Sequence, residues 1–241
     1  MPDLNKLTKA AHEVKAHYDE MLISASVIDS GEARISATLC LTISEQFAAV
    51  LCLIEGGFST HAPVIQRSML EGLASLLNLI KNPNYLDQMN FDSARDDIVL
   101  FKECNDDPDI QKNDAGFAAL KVSKDKALAV VVELKAKGIM KQKIIDQFKQ
   151  AGMTSNYIAY RILCSYAHNQ LSTLLARHAT SNFELRYHHQ PPEESIESTL
   201  TCALSLLCRA LETLPKFTNL VAADVMRVID DVDAIWRKAA T

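Results

Sequence analysis

Residues 63–81, PVIQRSMLEGLASLLNLIK, are apolar on nearly every side. Val64, Ile65, Met69, Leu70, Leu73, Leu76, Leu77, Leu79 and Ile80 leave no broad polar face for water. A helix of this kind has to be covered by other elements all round. The rest of the chain supplies helices to cover it. Leu4, Leu7, Ala11, Val14, Tyr18, Leu22 and Ala25 recur at helical spacing over residues 3–28. A more apolar helix is expected over 33–55, closed by the Gly56–Gly57 pair, and the central helix is stopped by NPN at 82–84. Further helices are expected over 85–104, 117–137, 141–151, 155–178, 193–214 and 217–238. Gly and Pro, the residues that break helices, number only 7 each among 241.

These segments predict an all-α fold, an irregular bundle of eight or nine helices in one domain spanning 1–241. Two stretches stand apart. NDDPDIQKNDAG, 105–116, is acidic and rich in breakers, and reads as a mobile loop. SNFELRYHHQPP, 181–192, reads as an extended loop or a short edge strand.

A net charge of -5 excludes general attraction to nucleic acid or an anionic membrane, so such binding requires a local basic patch. Lys121, Lys124, Lys126, Lys135, Lys137, Lys141, Lys143 and Lys149 supply a candidate, although charge runs are commonly solvated helix faces. The six cysteines, with no C-x-x-C pair among them, read as buried free thiols of a reducing compartment. The amino terminus lacks the apolar core of a signal peptide. The longest apolar region, Ser36 to Ile54, is interrupted by Thr42, Ser44, Glu45 and Gln46. No membrane partner is expected, and the location is read as cytoplasmic.

Two apolar helices each carry a line of polar residues. Arg67, Glu71, Ser75 and Asn78 follow one line of the 63–81 helix. Tyr157, Arg161, Cys164, Ser165, His168 and Ser172 follow one side of the 155–178 helix at 100° per residue. An unpaired buried charge is costly, so these residues must pair with each other or line a cavity. If the two lines face each other, Arg67, Glu71, Arg161 and His168 converge on a polar pocket. The same residues can instead form a network that fixes helix register. No metal or cofactor motif is present. His188 and His189 are adjacent and not spaced for one ion, and His61 reads as part of a helix start. Cys164 and His168, at i and i+4, have the spacing of a nucleophile pair, but a buried thiol beside an imidazole is the preferred reading.

Arg161 and His168 match R-x6-H, which resembles the R-x(4–6)-H signature of the HEPN superfamily of helical bundles, except that Ile162 stands where a polar residue is common. In addition, RSMLEGLASLLNLIKNP at 67–83 and YRILCSYAH at 160–168 resemble a bacterial all-helical family of unknown function. That family carries R-S-x-x-E on one helix and Y-R-x-L-S-x-x-x-H on a later one. Arg67, Ser68, Glu71, Tyr160, Arg161 and His168 match, and Cys164 replaces a serine.

The HEPN resemblance implies a homodimer that binds RNA or a nucleotide, and metal-independent ribonuclease activity in phage defence or toxin–antitoxin systems. In such chemistry His168 takes the 2′-hydroxyl proton and Arg161 stabilises charge on the phosphorane. Arg67, Glu71, Tyr160, Ser165 and Asn78 are the accompanying binding candidates. Two alternatives remain open. One is a non-enzymatic scaffold or interaction protein. The other is a helical bundle that holds a small anionic molecule against Arg67.

Overall fold

The computed structural model describes residues 3–111, 114–180 and 182–240. The fold is all-α, with eleven α-helices among the described residues and two short 3-10 turns. These helices form two compact units, residues 1–81 with 147–241 and residues 82–146.

In the larger unit, α1 (Leu4–Ser24), α2 (Gly31–Glu55) and α3 (Ala62–Lys81) come first. After α7 (Ile144–Gln150) follow α8 (Asn156–Ala167), α9 (Leu171–His178), α10 (Glu193–Leu211) and α11 (Ala222–Ala240). The apolar 63–81 run is central as expected: α3 packs against α2, α8 and α10. Met69, Leu70, Leu73, Leu76 and Leu79 are fully covered. Each such side chain contributes roughly 1.5–3 kcal/mol by leaving water. Gly72 faces Ile43 of α2, where a Cβ would meet Ile43 Cγ1 at 3.4 Å, an ordinary van der Waals contact.

By length and composition, α2 could cross a membrane. Here its apolar residues Ile43, Phe47, Val50 and Leu51 are buried among helices of the unit. Two of its interrupting polar groups donate within the protein: Ser44 Oγ to the Cys40 carbonyl at 3.0 Å and Gln46 Nε2 to Ser68 Oγ at 2.7 Å.

The smaller unit is α4 (Tyr85–Asn105), α5 (Pro108–Gln111) and α6 (Asp114–Ala136). α4 and α6 pair over Phe91, Ala94, Ala127, Val131 and Leu134. Of the lysines here, Lys121, Lys126, Lys135, Lys141 and Lys143 are exposed. Lys137 pairs with Glu133 at 2.9 Å and reaches Asp87 at 3.7 Å.

Several boundaries differ from expectation, each for a visible reason. α1 stops at Ser24 because the next residues pair across the chain: Val27 bridges Thr218, and Ser26 N–H donates to Asn219 Oδ1 at 2.7 Å. The same pairing delays α11 to Ala222. The 105–116 segment contains the one-turn helix α5 and the start of α6, with residues 112 and 113 outside those described. Segment 181–192 forms no ladder among its described residues, only the isolated bridge of Leu185 with Ala179. The cysteines are not uniformly buried. Cys40 is, whereas Cys52 and Cys202 are exposed, because they fall on the outer faces of α2 and α10.

The largest departure is the helix expected over 155–178, which is two helices. His168 caps α8, and Asn169 takes a left-handed φ of 49°. In a continuous helix the Tyr166 carbonyl would accept from the Gln170 N–H. Here Arg177 Nη2 donates to that carbonyl at 3.0 Å, and the Gln170 N–H goes to the Ser165 carbonyl at 3.2 Å. Arg177 Nη1 also donates to Asn169 Oδ1 at 2.9 Å. An arginine two turns downstream thus holds the break open, and asparagine is a residue that tolerates the left-handed conformation.

Two variants separate these contributions. Asn169→Ala loses a bond to a charged donor and puts a Cβ-bearing residue without local hydrogen bonding at positive φ. It is expected to destabilise by about 2 kcal/mol. Asn169→Gly keeps the conformation at little strain and is expected to lose about half as much. Chemical denaturation of the two variants measures the difference.

Candidate functional site

Where α3 meets α8, Arg67, Glu71 and Tyr160 close a three-membered polar network. Arg67 Nη2 donates to Glu71 Oε1 at 2.8 Å, one helical turn away. The Tyr160 hydroxyl donates to the same oxygen at 2.9 Å. The Arg67 guanidinium lies 5.5 Å from the centre of the Tyr160 ring. The side chains of Arg67 and Glu71 keep 28% and 34% of their surface exposed, so the network is half-buried and reachable by solvent.

Burial raises the Tyr160 hydroxyl to about 12, opposed by the Arg67 hydrogen bond and reinforced by Cys164 and Glu71. Arg67 is held more firmly protonated, first by its bond to Tyr160 and then, against the cost of burial, by the Glu71 charge. Arg67 Nε is buried without a hydrogen-bond partner among the described residues.

The facing line on α8 is therefore Tyr160 and Cys164, not Arg161 and His168. Tyr160 and Cys164 are one turn apart on the α3 side, and Arg161 is rotated by about 100° from Tyr160. That rotation carries Arg161 into solvent. The expected convergence of Arg67, Glu71, Arg161 and His168 is corrected accordingly: Arg67, Glu71 and Tyr160 meet, and the other two lie on an outer edge. His168 stands exposed at the carboxyl end of α8. Arg161 is linked to the Tyr157 hydroxyl, which keeps the guanidinium protonated. The Tyr157 ring stacks on Tyr160 with centroids 5.9 Å apart, and Phe148 packs against Tyr160 at 5.2 Å. Rings thus connect the inner network to the outer arginine.

The remaining candidates have local tasks. Asn78 is buried and its amide donates to the Gln147 carbonyl at 3.0 Å, which fixes the end of α7. Ser165 Oγ donates to the Ile162 carbonyl at 2.7 Å and accepts from Thr173 Oγ1 at 3.1 Å, joining α8 to α9. Ser172 no longer shares the α8 line, because the chain has turned at Asn169. Arg67 already has a carboxylate partner, which bears on the expectation that it holds a small anion. Among the described residues no group of three His, Cys, Asp or Glu side chains is placed to hold a metal ion.

One residue escaped the sequence reading. Arg177 is 5% exposed and stacks over Tyr166, with its guanidinium carbon 5.7 Å from the ring centre. Its trace in the sequence is Asn169, a left-handed former inside an otherwise helical run, eight residues before a lone cation on an apolar helix.

The model of a family of unknown function, DUF5677, matches residues 33–185, more than half of the chain. Arg67, Glu71, Tyr160, Arg161 and His168 all fall inside the match. No curated protein and no solved structure matches the chain.

Proposed function

The chain belongs to DUF5677, a family without an assigned function, and from the outer edge of α8 we propose that it is a HEPN-like homodimer that binds RNA and cleaves it without a metal. The observation that carries this reading is the placement of Arg161 and His168. Both are exposed, two turns apart on one edge, and Arg161 is braced by Tyr157.

The His168 imidazole takes the proton of a ribose 2′-hydroxyl, whose oxygen attacks the adjacent phosphorus. As that O–P bond forms, the P–O5′ bond breaks and the leaving oxygen is protonated by water. The products are a 2′,3′-cyclic phosphate and a 5′-hydroxyl. Arg161 donates two hydrogen bonds to the non-bridging oxygens, where charge accumulates. The Arg67–Glu71–Tyr160 network is a positioning device in this reading. It holds Tyr160, and through the stacked rings Tyr157 and Arg161.

The resemblance to HEPN bundles suggests a phage-defence or toxin–antitoxin setting. The homodimer is supported by apolar residues bordering the edge. Ile158 is 70% exposed and Ile162 59%, side chains that favour coverage by a second copy. The same surface favours a second reading, a non-enzymatic interaction protein that uses it for a partner.

Incubation of purified protein with single-stranded RNA in excess chelator, with analysis of product ends, tests the proposal. Cyclic phosphate ends are expected, together with loss of both dimer and cleavage in Ile162→Glu. A monomeric wild-type protein that leaves RNA intact would point to the second reading.

A further inference from the structure

Arg177 lies in a cavity of about 260 Å³ that no residue of the α8 edge other than Tyr166 enters. Around it stand Ser59, Tyr166, His189, Ser195 and Thr199, and among the described residues the lining contains no aspartate or glutamate. A buried arginine ordinarily has a carboxylate partner, because its charge is expensive to desolvate. Arg177 has none among the described residues. Its protein partners are the Thr60 carbonyl at 3.3 Å, the Tyr166 carbonyl at 3.0 Å and Asn169 Oδ1 at 2.9 Å, all neutral. Those bonds use three of the five N–H donors that a guanidinium carries.

The rest of the lining adds no negative charge among the described residues. The wall includes the start of α10, where Pro192 occupies the cap position and no side chain caps the first turn. The cavity meets the side of that turn, at Pro192, Ser195 and Ile196. Glu193 and Glu194 in that turn are exposed. His61 lies close enough for Arg177 to disfavour its protonation, after the larger effect of partial burial and ahead of His178. The walls are tied together across the chain. Ser59 Oγ donates to Gln190 Oε1 at 2.9 Å, and the Gln190 amide donates to the Gly57 carbonyl. At φ 78° Gly57 makes the turn that allows this approach, and a Cβ there would press on the Gln190 amide.

We infer that this cavity is a binding site for a phosphate group, with Arg177 as its charge partner and Ser59, His189 and the first turn of α10 around it. The site is separate from the proposed RNA edge and does not rest on that reading. Its size suits an oxyanion or the phosphate end of a small phosphorylated metabolite, not a polymer.

The test is thermal melting of the full chain with inorganic phosphate and, in parallel, with adenosine monophosphate, at equal ionic strength. At a hundredfold excess over Kd the melting temperature is expected to rise by roughly 5–10 °C, saturably. A rise with both assigns the site to the bare oxyanion, and a rise with the nucleotide alone assigns it to a phosphorylated metabolite.

Ser195→Asp places a carboxylate in the cavity at a first-turn position where acids suit a helix. It is expected to fold, to melt no lower than the wild type, and to lose the ligand shift. Arg177→Met is expected to lose the shift as well, and Arg161→Ala to keep it. No saturable shift in the wild type, or an equal shift in Ser195→Asp, overturns the inference.

Discussion

Replacing His168 by alanine is expected to lower RNA cleavage by roughly 10²–10⁴-fold, the range for loss of a positioned general base. The melting temperature is expected to stay within about 1–2 °C of wild type, because the residue is an exposed helix cap whose backbone bond to the Cys164 carbonyl survives the change. The combination matters more than either half. A histidine serving only structure would lower stability along with any activity it supports. Arg161→Ala is expected to behave similarly in melting, since its side chain lies in solvent. Arg161→Lys keeps the charge but loses the two-pronged geometry, and is expected to recover only part of the rate. Cleavage rates and melting curves on the same preparations check both.

The opposite pattern is expected at Glu71. Alanine there removes the only carboxylate paired with Arg67 among the described residues and the acceptor of the Tyr160 hydroxyl. Breaking a buried ion pair from one side typically costs about 3–5 kcal/mol. With about a third of each side chain exposed, solvent recovers part of this, and the expected loss is about 2–3 kcal/mol. In a chain of this size that lowers the melting temperature by roughly 5–10 °C. Glu71→Gln retains a neutral acceptor and is expected to lose less than half as much. Tyr160→Phe leaves the ion pair intact and is expected to cost about 1 kcal/mol. If Glu71→Ala melts like the wild type, the network does not position anything, and its link to Arg161 through Tyr160 and Tyr157 fails with it.

The helices were legible wherever apolar spacing ran uninterrupted, and the all-round apolar α3 announced its own central place. The motif residues were also legible as residues. Their grouping was not. Tyr160 and Arg161 are neighbours in sequence, yet one faces α3 and the other faces water, and only the packing angle of α8 on α3 decides which. The line drawn at 100° per residue takes in Arg161 and leaves Tyr160 out. The break at Asn169 was hidden for another reason. It is made by a tertiary bond from Arg177 to the Tyr166 carbonyl, of which Asn169 is the one sign in the apolar run around His168. Arg177 sits in the last turn of α9, where the dipole favours any cation, so its position does not mark it out. One of its partners, the Thr60 carbonyl, is far away in sequence, and so are residues 59–63 and 189–199, which wall the cavity beside it.

The α8 edge is tested most directly by one side-by-side measurement. Wild type, Arg161→Ala, His168→Ala and Glu71→Gln are incubated with single-stranded RNA in chelator, and cyclic phosphate ends are quantified against each protein's melting curve. Cleavage by the wild type, its loss in the two edge variants at unchanged melting temperature, and its partial retention in Glu71→Gln are the predicted results. Intact RNA with the wild type, or cleavage that survives both edge variants, would contradict the account.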